Sequence, residues 1–158
     1  MADNFQEDQN FSQRWLLFLE LFLWGAFLIL SLLLLLQKKV EPVVACLPFL
    51  FITVFLFFMR SLRLQTRITA DSISYRLFPV QRRFRVIKKS EITELEVKSY
   101  EPIREYGGWG IRFGKNGMAY TARGNKGIYI GFGSRKHILI GTSRPAEVEQ
   151  FLREKRYI

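Results

Sequence analysis

Residues 15–36 read WLLFLELFLWGAFLILSLLLLL, and residues 43–59 read VVACLPFLFITVFLFFM. As helices, these runs of 22 and 17 residues would be ~33 Å and ~26 Å long at the usual helical rise. A bilayer has a hydrocarbon core of ~30 Å, so the first run can span it and the second lies at the short end of the spanning range. Neither run has a polar face, which argues against a soluble two-helix core. The sequence predicts a transmembrane hairpin at 15–60 (spans 15–36 and 43–59) and an extramembrane domain at 61–158.

The segment before the hairpin, residues 1–14, is polar, and we expect a poorly ordered tail there. It contains Asp3, Glu7 and Asp8 and lacks the basic leader of a signal peptide, whose apolar region would also be shorter. We therefore expect the first helix to remain in the mature chain. Trp15 is placed to anchor that helix at the membrane interface.

The orientation of the hairpin follows from the cations near the helix ends. The turn between the spans has only Lys38 and Lys39. The opposite side has a larger set, which consists of Arg14, Arg60, Arg63 and Arg67. Lys38 and Lys39 favour a cytoplasmic turn, but the larger number of arginines on the opposite side favours cytoplasmic termini with the turn outside.

The excess positive charge lies outside the hairpin. The chain has a net charge of +10, and residues 61–158 alone contain 20 Lys and Arg against nine Asp and Glu, a net +11. Beside an anionic leaflet, each nearby Lys or Arg is worth roughly 1 kcal/mol. Nucleic acid is the other common partner of such charge, but a tethered domain meets lipid phosphate first. We predict anionic membrane lipid, and no nucleic acid, as the partner.

One run of the domain is especially basic, and we predict that it forms a lipid-facing patch. A solvated strand face and a protein or nucleic-acid contact remain alternatives for this run. The run contains Arg82, Arg83, Arg85, Lys88 and Lys89.

Beyond Arg60 the apolar period changes from helical to two, which is typical of half-buried strands. Seven or eight such strands fit between residues 62 and 140. In one of them, Trp109, Ile111 and Phe113 share a phase, so we expect these side chains in the core.

A helix that begins near Pro145 places Val148, Phe151 and Leu152 on one face. Strands with one apolar face and a C-terminal amphipathic helix favour an all-β barrel capped at one end, because closure removes edge strands.

Three blocks of this segment are similar to a known family. Residues 104–112 read REYGGWGIR, residues 120–127 read YTARGNKG and residues 140–145 read IGTSRP. In this order they resemble the bacterial pleckstrin-homology-like family, and more narrowly its small membrane proteins with a two-helix N-terminal anchor. The resemblance covers roughly residues 62–152.

The resemblance implies a pleckstrin-homology-like split barrel with a C-terminal α-helix, a cytoplasmic domain and a tendency to self-assemble. It implies a multi-pass protein of the bacterial inner (plasma) membrane, and little about activity. Eukaryotic relatives bind lipid through a basic cluster in the first hairpin. Here that hairpin is Thr69-Ala70-Asp71-Ser72, which has no cation, so lipid attraction would depend on the basic run at 82–89.

The residue types needed for catalysis are scarce. His137 is the only histidine, and Cys46, inside the second span, is the only cysteine. Without a nucleophile paired to a base, a phosphate-binding loop or a metal-ligand cluster, we predict no enzyme activity, no cofactor and no metal site. We expect His137 to lie on a strand surface.

Two features are candidates for function. Glu20 is an acid inside the first span, where ionisable residues are often functional; the alternative is an interfacial pair with Arg60 or Arg63. The glycine-rich stretch at 107–110 suggests a bulge or an interaction surface of aromatic and basic side chains. That candidate surface consists of Arg104, Tyr106, Trp109, Arg112 and Arg144.

The sequence therefore predicts a non-catalytic, membrane-anchored binding or scaffolding module that forms a homo-oligomer. One alternative is an accessory subunit of a membrane transporter or envelope-stress system, with a membrane-protein partner. A second is a small channel centred on Glu20.

Overall fold

The computed structural model describes residues 4–11, 14–37, 41–114, 117–133 and 137–158. The chain divides into two compact units. The first, the helical unit, lies within Ser12–Ser61, and the second, the β unit, combines the N-terminal segment up to Phe11 with Leu62–Ile158.

The helical unit consists of α1 (Arg14–Leu36) and α2 (Pro42–Ser61), which pack against each other. Both helices are long and apolar enough to cross a membrane. The buried side chains of α2 are Ala45, Ile52 and Leu56, and most of the larger apolar side chains are exposed. The two predicted apolar helices are confirmed, and α2 begins at Pro42, where the missing N–H of proline costs no hydrogen bond. Lys38 and Lys39 lie outside the described residues, as does the Trp15 side chain.

The β unit begins with a strand that we did not predict. Residues 5–10 form β1 (Phe5–Asn10), which pairs antiparallel with the strand that follows α2. The expectation of a poorly ordered tail is therefore wrong for these residues. Phe5, Glu7 and Gln9 alternate inward, and this polar mixture hid the period-two pattern in the sequence.

The first sheet has four antiparallel strands in the order β1-β2-β3-β4. Its other strands are β2 (Arg63–Ile68), β3 (Ser72–Phe78) and β4 (Arg85–Lys88), and a short 3₁₀ turn follows at Lys89–Glu91. In β2 and β3 every second side chain is buried, as the alternation predicts.

The second sheet has five strands in the order β5-β8-β9-β7-β6, with β7 and β9 parallel. The strands are β5 (Glu94–Ser99), β6 (Gly110–Gly114), β7 (Gly117–Thr121), β8 (Lys126–Gly131) and β9 (His137–Gly141). A short helix, α3 (Pro102–Tyr106), precedes β6 and packs against it, and α4 (Pro145–Glu154) ends the unit.

One hydrophobic core joins the inner faces of both sheets to α4. Val148, Phe151 and Leu152 of α4 are buried, which confirms the predicted C-terminal helix and its apolar face. Among the described strands no ladder links the two sheets, so the β unit consists of two mostly antiparallel sheets with edge strands. The predicted layout, in which strands follow the helical hairpin and a C-terminal helix ends the chain, is confirmed. The prediction that Phe113 lies in the core is wrong, since its side chain, in β6, is 80% exposed.

Candidate binding surfaces

The basic run at 82–89 is mostly exposed, and two of its cations hydrogen-bond within the β unit. Arg82, Arg83, Arg85 and Lys88 are exposed. The Arg85 Nη1 nevertheless donates to the Tyr120 hydroxyl at 2.9 Å. Lys89 donates from Nζ to the Lys155 carbonyl at 2.7 Å. Two of the five predicted lipid-facing cations therefore hold the β unit together.

The Arg85 guanidinium contacts a pair of core tyrosines. The rings of Tyr75 and Tyr120 lie 4.6 Å apart. Burial raises the pKa of Tyr75 well above its ordinary value, and the neighbouring Tyr120 adds to this effect, while Arg85 opposes it. The Tyr75 hydroxyl therefore keeps its proton well above neutral pH.

The outer face of the four-stranded sheet has an arginine sandwich that the sequence analysis missed. The guanidinium carbons of Arg67 and Arg76 lie 4.6 Å and 4.3 Å from the centre of the Phe84 ring. Such cation–π contacts hold an aromatic side chain in place on a surface. The outward phase of both arginines in their strands was the available signal, but the position of Phe84 depends on how the chain returns between β3 and β4.

A hydrogen-bonded row extends from this sandwich. Arg76 donates from Nε to Gln65 Oε1 at 2.6 Å and from Nη1 to the Arg82 carbonyl at 2.8 Å. Gln65 then donates to Asp8 Oδ2 of β1 at 2.9 Å. The row restrains the backbone at residue 82, so that Arg82 and Arg83 project from a fixed segment.

Apolar side chains accompany the exposed cations. Phe78, Val80 and Val86 are large, exposed hydrophobic residues of the β3–β4 segment. Apolar groups together with arginines suit a surface that meets lipid headgroups and the outermost acyl carbons. We call these exposed side chains the β3–β4 surface; it consists of Phe78, Val80, Arg82, Arg83, Val86 and Lys88. The exposed Arg85 is left out because its guanidinium is bound to Tyr120.

The predicted interaction surface around residues 104–112 is only partly exposed. Arg104 and Arg112 are exposed, while Trp109 is half-buried and donates from Nε1 to the Gly124 carbonyl at 2.9 Å. Tyr106 is buried instead of exposed. Its ring lies so close to Gly114 that a Cβ there would be 2.6 Å from the ring, and it therefore fixes α3 on the sheet.

Tyr106 joins a second, smaller cluster with Tyr100, Ala119 and Leu139. Burial raises the pKa of Tyr100 to about 12, with a smaller contribution from Tyr106. Gly107, at φ 69°, ends α3 in the left-handed conformation, which favours glycine. The glycine-rich stretch thus has the backbone role that we listed as one alternative.

Arg144 is bound to β1. Its guanidinium carbon lies 4.7 Å from the Phe5 ring centre, and its Nη2 donates to the Gln6 carbonyl. Its Nη1 also donates to Glu147 at 3.1 Å. These contacts give Arg144 a structural role at the start of α4.

The buried Glu7 connects β1 to the segment between β9 and α4. This side chain accepts hydrogen bonds from Thr142 Oγ1 at 2.6 Å, from the Ser143 N–H at 2.8 Å and from the Ser143 hydroxyl. Next to it, the buried Gln9 donates to the Gly141 carbonyl at 2.7 Å. We call these contacts, together with those of Arg144, the β1 clasp. In this fold, residues 140–145 therefore bind β1.

Within the helical unit, Glu20 pairs with Arg60. Oε2 of Glu20 accepts hydrogen bonds from Arg60 Nε at 2.9 Å and Nη2 at 2.6 Å. This is the ion pair that we gave as the alternative to a functional acid.

The remaining candidates for chemistry are sparse. His137 is partly buried, and its ring stacks on Tyr129 at 4.7 Å. Its Nδ1 has no hydrogen-bond partner in the described part of the chain. No group of three His, Cys, Asp or Glu side chains within the described residues could hold a metal ion.

Comparisons of the chain with protein-family models, with curated proteins and with solved structures gave no match. The pleckstrin-homology-like resemblance therefore stays a prediction.

Proposed function

We propose that this protein is a membrane-anchored, non-catalytic binding and scaffolding module that self-assembles at the cytoplasmic face of a bacterial plasma membrane. Its β unit would be pleckstrin-homology-like. The observation that carries the proposal is the ladder between β1 and β2, which lie on either side of the helical unit in the sequence.

This ladder supports a two-span topology. Asn10 and Arg63 are partners in the ladder, and they are close in sequence to the start of α1 and the end of α2. Strands that share hydrogen bonds lie on the same side of a membrane. Two helices, each long enough to span, would therefore leave and return on that side.

The charge distribution supports a cytoplasmic location for that side. Arg60 and Arg63 lie at the end of α2 or just after it, and the β unit as a whole is basic. Positive residues beside spans favour the cytoplasm. The β3–β4 surface would then face anionic headgroups as the principal partner, while β1 would connect the unit to the anchor.

The accessory-subunit alternative has an observation of its own. Ile103 of α3 and Phe113 of β6 are 72% and 80% exposed. Large exposed apolar side chains next to Arg104 and Arg112 in the sequence have a composition that suits a protein contact. The channel alternative is weaker, because Glu20 is already paired with Arg60.

Native mass spectrometry of the full-length chain, extracted gently from its own membranes, tests the proposal. A single homo-oligomeric mass is the expected result. A complex that contains a second protein would replace scaffolding with the accessory role, and a monomer without partners would contradict both.

A further inference from the structure

We infer that the Glu20–Arg60 pair binds the headgroup of a phospholipid that has a primary ammonium group, with an acyl chain in the groove beside the pair. This inference rests on the proposed function, because it requires the helical unit to lie in a bilayer.

The groove lies between α1 and α2 and has a volume of about 460 Å³. Its lining repeats at helical spacings of three and four residues on both helices, which places the side chains on facing surfaces. The lining consists of Leu17, Glu20, Leu21, Trp24, Thr53, Leu56, Phe57 and Arg60. A cavity that is mostly apolar with a few convergent polar groups is typical of a small-molecule site.

The position of the charged pair matches an amphiphile. Arg60 lies in the last turn of α2 and Glu20 in the second turn of α1, so both are near helix ends. In a bilayer, charged side chains at this depth meet headgroups, whereas the apolar lining toward Trp24 and Thr53 meets acyl chains. A ligand with a polar head and an apolar tail would satisfy both parts of the groove.

Arg60 has donors to spare. Only Nε and Nη2 bind Glu20, and both donate to the same oxygen. A guanidinium has five N–H donors, and this side chain is 62% exposed. The unused donors can therefore bind a phosphate, the anion that guanidinium groups match best in geometry.

Glu20 selects among phospholipids. Its Oε1 has no hydrogen bond within the described part of the helical unit, while its side chain is 16% exposed. A phosphate at Arg60 would place an attached primary ammonium near this oxygen, where it can donate a charge-assisted hydrogen bond. A choline headgroup has no N–H to donate, and a glycerol headgroup has no positive charge to balance the carboxylate.

The test is native mass spectrometry of the full-length protein in detergent with equimolar phosphatidylethanolamine, phosphatidylcholine and phosphatidylglycerol. We expect about tenfold preferential retention of phosphatidylethanolamine, the effect of one charge-assisted hydrogen bond. Glu20→Gln should bring the ethanolamine and choline lipids to equal retention. Arg60→Gln should lower the retention of all three, while the matched control Arg63→Gln, which lies outside the groove, should change nothing.

A charge swap guards against a loss of folding. Glu20→Arg combined with Arg60→Glu keeps an ion pair but reverses its direction, so we expect a folded protein that has lost the preference. The inference is overturned if the wild type retains the three lipids equally, or if Glu20→Gln keeps the preference for phosphatidylethanolamine. A dimer without bound lipid would also overturn it, because a second copy would then fill the groove. Alkaline extraction of membranes separates this failure from a failure of the proposed function, because only the latter releases the wild-type chain from the membrane.

Discussion

The helical unit and the β unit contain the same kinds of large apolar side chain but place them in opposite environments. Ile29 of α1 is 59% exposed, whereas Ile140 of β9 is fully buried. Within the β unit the apolar side chains face one another, and within the helical unit most of them face outward. Exposed apolar surface on the helices is what the proposed membrane anchor requires, whereas the sheets bury their apolar side chains as a domain in water does.

The largest expected effect comes from separating β1 from its sheet. A chain of residues 62–158 alone loses β1 and its buried Phe5, and truncation of a single buried Phe already costs about 3–5 kcal/mol. Because domains are stable by only ~5–15 kcal/mol, we expect this fragment to unfold or aggregate. Circular dichroism during heating would show no cooperative transition.

The matched control for that fragment keeps β1. A short glycine-rich loop from Phe11 to Leu62 would replace the helical unit, since Asn10 and Arg63 are already partners in the ladder. We expect a soluble chain with a cooperative transition. Equal melting temperatures for the fragment and the joined chain would show that β1 is dispensable.

How far the sequence predicts this fold depends on the element. Periodicity predicts β2, β3 and α4, because each has one consistent apolar face. The two long helices are predicted because they are apolar on every face. β1 does not, since its inward positions are Phe5, Glu7 and Gln9, and a buried carboxylate is recognisable only once its donors at 142 and 143 are in place.

The candidate sites show the same limit. Pairing of Glu20 with Arg60 could be foreseen, because the two residues lie near neighbouring helix ends. The hydrogen bond from Arg85 to Tyr120 could not be foreseen, since Tyr120 belongs to the other sheet. Tyr106 was misplaced because α3, a helix of one turn, left no periodic signal.

The second prediction compares the same substitution in both units. Ile140→Ala should destabilise the β unit by about 2–5 kcal/mol, through lost burial and the cavity left behind. Ile29→Ala should leave this transition within ~0.5 kcal/mol. Denaturant unfolding of the full-length protein in detergent, followed by circular dichroism in the β region, measures both. A similar loss for Ile29→Ala would mean that its side chain packs against protein rather than hydrocarbon.

The third prediction concerns the β1 clasp. Glu7→Ala removes the acceptor of three hydrogen bonds from Thr142 and Ser143 and leaves buried donors unpaired. We expect a loss of about 1–3 kcal/mol and faster hydrogen exchange of the amides of β1 and β2. Asp8→Ala, on the exposed side of the same strand, should cost at most ~0.5 kcal/mol; equal costs would contradict the clasp.

The fourth prediction is a pH dependence confined to the β unit. Burial raises the pKa of Tyr100 to about 12, above the ordinary value near 10 in the unfolded chain. The folded state then holds a proton that the unfolded state releases, so stability falls as pH rises above 10, by about 1 kcal/mol over the first unit. Tyr100→Phe should reduce this slope in denaturant titrations at pH 10 and 11. If the slope is unchanged, the pH dependence of stability arises from the other buried tyrosines.

The smallest effect on stability is expected at the β3–β4 surface, where the effect on binding should be largest. Once the joined chain has been shown to fold, Arg82→Glu with Arg83→Glu should change its stability by no more than ~0.5 kcal/mol, because both side chains are exposed. The affinity for phosphatidylglycerol vesicles, measured by sedimentation, should fall about thirtyfold, because two cations worth roughly 1 kcal/mol each are lost. Arg104→Glu, an exposed change outside the β3–β4 surface, should leave sedimentation nearly unchanged. If all the variants sediment alike, the net charge of the β unit attracts lipid without any particular surface, and the β3–β4 surface is free for a protein partner.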